Sequence, residues 1–155
     1  MSYQFCPRCC AVHRRVSRVC NKEGCGYPTI IVNKNMQALA QRLSDCDFNV
    51  LAATSTISTD DASHKSVRLS VEFREHYDID KVFTDLPTGW SAYYTFSLHD
   101  AIVIDDIVEL NCSFEYFHMG FCSVEDEICT EVGKLMDWLQ NDAHIAVLRL
   151  SGFFL

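Results

Sequence analysis

Five of the nine cysteines crowd into residues 6–25, and that crowding limits what the N-terminus can become. Phe5-Cys6-Pro7-Arg8-Cys9 is a tight Cys-Pro-x-Cys turn, and Cys20-Asn21-Lys22-Glu23-Gly24-Cys25-Gly26 makes a second one. The ten residues between them suffice for a short hairpin over 12–19. Two loops that each offer two thiolates suit tetrahedral zinc; proline and glycine favour the turns, and backbone amides can donate to sulfur. The spacing therefore predicts one structural zinc ion on Cys6, Cys9, Cys20 and Cys25, in a knuckle head over 1–27. Iron in a rubredoxin-like site is the alternative metal. Cys10 in place of Cys9, or His13 in place of Cys25, are the alternative ligands. The cysteine count is odd and clustered, and the chain starts without a basic and apolar leader. Those features favour a metal site in a reducing cytoplasm over a disulfide framework.

The other 128 residues, 28–155, are expected to form one α+β body. A chain of 155 residues, 48% of them hydrophobic, can enclose a core of its own. No stretch approaches the ~20 apolar residues of a membrane span. The net charge of −8 is unevenly spread. Residues 1–34 set Arg8, Arg14, Arg15, Arg18, Lys22 and Lys34 against Glu23 alone, so the acidic excess lies wholly in the body. A body of that sign repels nucleic acid at long range, while the head attracts it locally.

Apolar periodicity supplies the elements. Residues 28–32 read as a short strand, and Asn33 as the cap of a helix to Leu43, with Met36, Leu39, Ala40 and Leu43 on one face. Residues 48–57 and 66–73 read as strands, Val67, Leu69, Val71 and Phe73 alternating with polar residues, and 58–63 as the loop between them. A short helix over 77–86 is expected to stop at Pro87, ahead of a Thr88-Gly89 turn. Strands over 90–98 and 101–117 follow, with Asp105-Asp106 as a turn or interruption in the second. The strongest helix is 123–140. Ser123 and Asp126 form a capping box there, three acidic residues occupy the first turn, and Ile128, Val132, Leu135 and Leu139 make a core stripe. Residues 145–150 read as a last strand. The order predicts an N-terminal zinc-ribbon hairpin followed by an antiparallel or mixed sheet covered on one face by two helices.

The head resembles zinc ribbons, in which the residue after the second cysteine is usually glycine; here it is Cys10. The whole chain resembles small uncharacterised bacterial and phage proteins with such a head, on Cys6 to Cys25, Ile30 to Leu43 leading into Phe48 and Val50, and Leu86-Pro87-Thr88-Gly89-Trp90. Many of those relatives place a Cys-Ser-Gly-His stretch after the second strand. This chain has Ala52-Ala53-Thr54-Ser55-Thr56 instead, so the resemblance carries no chemistry over.

Cys112, His118, Cys122 and Cys129 have no common metal-site spacing, and the cysteines among them read as buried free thiols. His99-Asp100 and Asp105-Asp106 suggest an acid–base or hard-metal pair, but adjacent strand residues face opposite ways. His64 and His76 lie beside loops. No phosphate loop, nucleophile elbow or His-Glu-x-x-His motif is present. Three readings follow. The first is a zinc-binding accessory or adaptor protein that docks on another protein. The second is a weak nucleic-acid binder using Arg8, Arg14, Arg15, Arg18 and Lys22, with Tyr27 for stacking. The third is a small metal-dependent hydrolase. Phe153 and Phe154 either tuck beneath the chain's own sheet or helix, or cross to a second subunit or a partner as an apolar anchor.

Overall fold

The computed structural model describes residues 2–13, 19–59, 61, 63–99, 102–118 and 122–143. The expected strand over 145–150, Phe153 and Phe154, and the cations Arg14, Arg15 and Arg18 lie outside them.

Among the described residues, seven strands form one mixed sheet. In chain order they are β1 (Tyr3–Phe5), β2 (Val12–His13), β3 (Ile30–Val32), β4 (Val50–Thr59), β5 (His64–Phe73), β6 (Trp90–His99) and β7 (Ile102–Phe117). Their order across the sheet is β2-β1-β3-β4-β5-β7-β6. All neighbours are antiparallel except β3 and β4, which pair Ile31 with Ala52 and Val32 with Ala53 in parallel. A parallel pair needs a crossover, and α1 (Gln37–Asp45) supplies it. The cysteine head is continuous with this sheet, because β1 pairs with β3 and Phe5 is fully buried in the main core.

One face of the sheet carries that core. Val67, Leu69, Val71 and Phe73 of β5 and Val108, Leu110, Cys112 and Tyr116 of β7 all point into it, at period two. Met36 from the turn before α1 and Leu39, Ala40 and Leu43 from α1 meet them, as do Val124, Ile128, Val132, Leu135 and Leu139 from the α3 region (Val124–Trp138 and the turn after it). Both expected stripes are buried. The capping box of α3 is complete: Asp126 N donates to Ser123 Oγ at 3.2 Å and Ser123 N donates to Asp126 Oδ2 at 3.0 Å. Ser123→Ala is expected to destabilise the fold by about 1 kcal/mol, read from denaturant melts. An unchanged midpoint would mean that water replaces the cap without loss.

The opposite face is polar. Glu109 is buried there, accepting from Ser70 Oγ and, at 3.3 Å, from Arg68, which also donates to Tyr93 Oη at 3.0 Å. Toward the distal end of the β6–β7 hairpin this face turns apolar, where Ile104 and Ile107 pack with Leu51, Ala52 and Ile31.

Four expectations need correction. Asn33 precedes a single 3-10 turn (Lys34–Met36) rather than α1 itself, and its side chain caps neither. The parallel ladder brings Asn33 beside β4, where its Oδ1 accepts from the Ser55 amide. The helix expected over 77–86 shrinks to α2 (Ile79–Val82), because Tyr77 and Phe83 on either side turn into an aromatic cluster. The loop expected over 58–63 gives up its first two residues to strand: β4 runs to Thr59, β5 starts at His64, and Asp61 accepts from the Ser63 amide at 2.8 Å.

Asp105-Asp106 is a bulge inside a continuous strand, not a turn. Ser97 pairs with Ile104 and Thr95 with Ile107, so two aspartates oppose Phe96 alone. Asp106 takes a positive φ of 54°, which aspartate tolerates better than most residues, and its amide donates to Asp105 Oδ1. The extra residue resets the alternation, which puts Ile104 on the same side as Ile107.

Candidate metal centre

The four cysteines reach one point from two turns. In the first, Cys6 N donates to Ala11 O at 2.9 Å and Cys10 N to Cys6 O at 2.8 Å. In the second, Cys20 N donates to Tyr27 O at 2.7 Å and Cys25 N to Lys22 O at 3.0 Å. The residue after the last ligand of each turn needs a left-handed backbone: Gly26 has φ 65° and Cys10 has φ 62°. That requirement explains the glycine usual at this position. Cys10 accepts it at a steric penalty and leaves its side chain exposed.

The body holds the turns in place. Gln41 of α1 donates to Pro7 O at 2.8 Å, beneath the first turn. Arg74, following β5, donates to Thr29 O at 2.7 Å, beneath the second.

The sulfurs of Cys6 and Cys25 are 3.6 Å apart, those of Cys9 and Cys20 3.5 Å, and all four lie within 4.8 Å of one another. A tetrahedron with ~2.3 Å metal–sulfur bonds has edges of roughly 3.8 Å, close to these separations. They far exceed the ~2.05 Å of a disulfide. Backbone amides are aimed at the sulfurs, those of Arg8 and Cys9 at Cys6, Ala11 at Cys9 and Lys22 at Cys20. Such donors stabilise negative sulfur, as metal–thiolate sites require. The Ala11 amide above all pulls Cys9 down to about 7. Burial pushes Cys20 up to about 12 and Cys6 upward as well. Without a metal, then, Cys9 ionises more readily than Cys6 and Cys20, which keep their protons at neutral pH. The four residues can hold one metal ion.

Among the described residues this is the only group of three or more His, Cys, Asp or Glu side chains close enough to share an ion. Neither Cys10 nor His13 belongs to it. His13 is buried on β2, and its Nε2 has no hydrogen-bond partner among the described residues. Cys112, His118, Cys122 and Cys129 form no second group. Cys112 is buried as expected, its thiol pushed up to about 12 by burial and the neighbouring Glu131. Cys122 and Cys129 are exposed, which corrects the expectation of buried thiols. Cys129 falls outside the stripe of Ile128, Val132 and Leu135. His118 is engaged with Tyr116 Oη at 3.2 Å. His64 lies against Glu115 and stacks on Phe117, and His76 contacts Asp106 O at 2.8 Å. The His99-Asp100 pair lies partly outside the described residues. Of the head cations, Arg8 and Lys22 are exposed near the cluster.

These placements set an expected pattern of thiol reactivity. In metal-loaded protein Cys10, Cys122 and Cys129 should alkylate first, and Cys6, Cys9, Cys20 and Cys25 should join only after chelation. Peptide mapping of alkylated protein checks this. Equal labelling of the head cysteines before and after chelation would show that no metal protects them.

No described helix is long and apolar enough to cross a membrane. No family model matches the chain, and no curated protein and no solved structure matches it.

Proposed function

We propose that the chain is a zinc-stapled accessory or adaptor protein, which uses its metal to hold a surface and acts by docking on another protein. The observation that carries the metal assignment is the convergence of four sulfurs, with backbone amides aimed at three of them. Soft thiolates in tetrahedral array select zinc or iron, and four of them leave no open position for a substrate. Zinc held that way is structural. Sites of this kind persist where thiols stay reduced, so we place the protein in the cytoplasm. The likeness of the head to zinc ribbons in small bacterial and phage proteins agrees with this reading.

Elemental analysis of reduced, purified protein tests the metal, with about one zinc per chain expected and a colourless solution. A red protein would assign iron; absence of metal from folded protein would remove the central claim. Binding assays with generic DNA and RNA separate the adaptor reading from the nucleic-acid one. The acidic body opposes approach, so only weak binding that fades with salt is expected. Tight, sequence-selective binding at physiological salt would reverse the ranking.

A further inference from the structure

The sheet has two edges, and they are built differently. β2, at the cysteine head, is only two residues long. β6, at the far edge, is ten residues long, and among the described residues nothing pairs with its outer side. Exposed edges are normally blunted by charge, proline or brevity. From Trp90 to Leu98 this one has no Asp, Glu, Lys, Arg, Pro or Gly.

Its helix-side face is also apolar where the helices no longer cover it. Tyr94 is 53% exposed, Phe96 62% and Leu98 67%, and Val103, paired with Leu98 across the hairpin, is 61% exposed. Side chains of this size at these exposures show on the order of 400 Å² together, the size at which a patch stops being ordinary surface. The patch is also preorganised. Tyr94 Oη donates to Tyr77 O at 3.1 Å and accepts from Ile79 N at 3.2 Å, and the hairpin's other face is anchored by Ile104 and Ile107.

We propose that β6 pairs antiparallel with β6 of a second copy of this chain. The pairing joins two seven-stranded sheets around a two-fold axis, with Tyr94, Phe96 and Leu98 as its apolar centre and Val103 flanking them on β7. Self-complementarity favours this occupant. A two-fold axis near Phe96 sets that ring beside its counterpart and Leu98 beside the second copy's Tyr94, with no charge on either strand to oppose the match. A partner of opposite charge would find nothing on this strand to recognise. Pairing in the plane of the sheet adds one ladder of backbone hydrogen bonds and covers the facing flanks of Tyr94, Phe96 and Leu98.

The proposal is independent of the metal, which lies at the other edge. Light scattering or sedimentation of full-length protein at rising concentration tests it, alongside Leu98→Lys and Phe96→Lys. The expected result is a dimer that becomes a monomer in both variants, with melting behaviour and metal content unchanged. A monomeric full-length protein overturns the proposal, as does a dimer that survives both substitutions. A dimer that forms only after residues 144–155 are removed would assign the edge to the chain's own C-terminal segment, and also overturns it.

Discussion

Cys20→Ser is expected to lose the metal and to lower the melting temperature by on the order of 10 °C, at the several degrees per kcal/mol typical of a domain this size. Four-thiolate zinc contributes ~10–16 kcal/mol of apparent binding free energy in small peptides, and a serine hydroxyl is a poor replacement for one thiolate. The loss should spread beyond the head, since β1 pairs directly with β3 and Phe5 is fully buried in the main core. Exposed Cys129→Ser is the control, expected to keep both metal and melting temperature. The same site should be acid-sensitive. In the metal-free fold Cys6 and Cys20 hold protons because burial raises both thiols, and binding must expel them. Metal affinity is therefore greatest at high pH and falls as pH drops, by at least about 100-fold per unit for two released protons. Competition with a chromophoric chelator across neutral pH measures that slope. Full metal content in Cys20→Ser, or a flat pH profile, would contradict the four-thiolate site.

Local signals in the sequence proved reliable where one short segment decides the outcome. The capping box at Ser123, the alternation in β5 and the two cysteine turns each depend on residues a few positions apart. Distant partners caused the misses. Asn33 is a good cap by type, yet the parallel ladder sets it beside Ser55, 22 residues on, and the better-placed amide takes its oxygen. Tyr77 to Leu86 has helix-forming residues, but Tyr77 and Phe83 gain more by turning into the core than by extending α2. Asp105-Asp106 reads as a turn because aspartate tolerates left-handed backbone; pairing with β6 on both sides makes it a bulge. The gathering of four sulfurs was legible from spacing alone. The uncharged edge was also written in the chain, but only the strand order shows that β6 is an edge.

The largest stability effect away from the metal is expected at Phe73. This residue ends β5 with no exposed surface, its ring centroid 5.6 Å from Phe48, 5.5 Å from Tyr77 and 5.3 Å from Phe83. Phe83 in turn stacks on Trp138 at the end of α3, and Trp138 Nε1 donates to Thr84 O at 2.9 Å. One ring thus links the sheet, the α1–β4 connection, the α2 segment and the C-terminal helix. Phe73→Ala removes a whole buried ring from neighbours that other contacts hold in place, so they cannot close fully over the gap. A loss of about 3–5 kcal/mol is expected. Phe73→Leu keeps part of the volume and should fall well short of that. The exposed Val103→Ala, measured on dilute monomer, should stay within about 0.5 kcal/mol, since little surface is removed from water there. Urea melts of the three variants decide the matter. A loss below about 1 kcal/mol for Phe73→Ala would mean that the aromatic cluster repacks around the missing ring. In that case α3 is held to the sheet chiefly by Ile128, Val132 and Leu135, and Leu135→Ala should then carry the larger penalty.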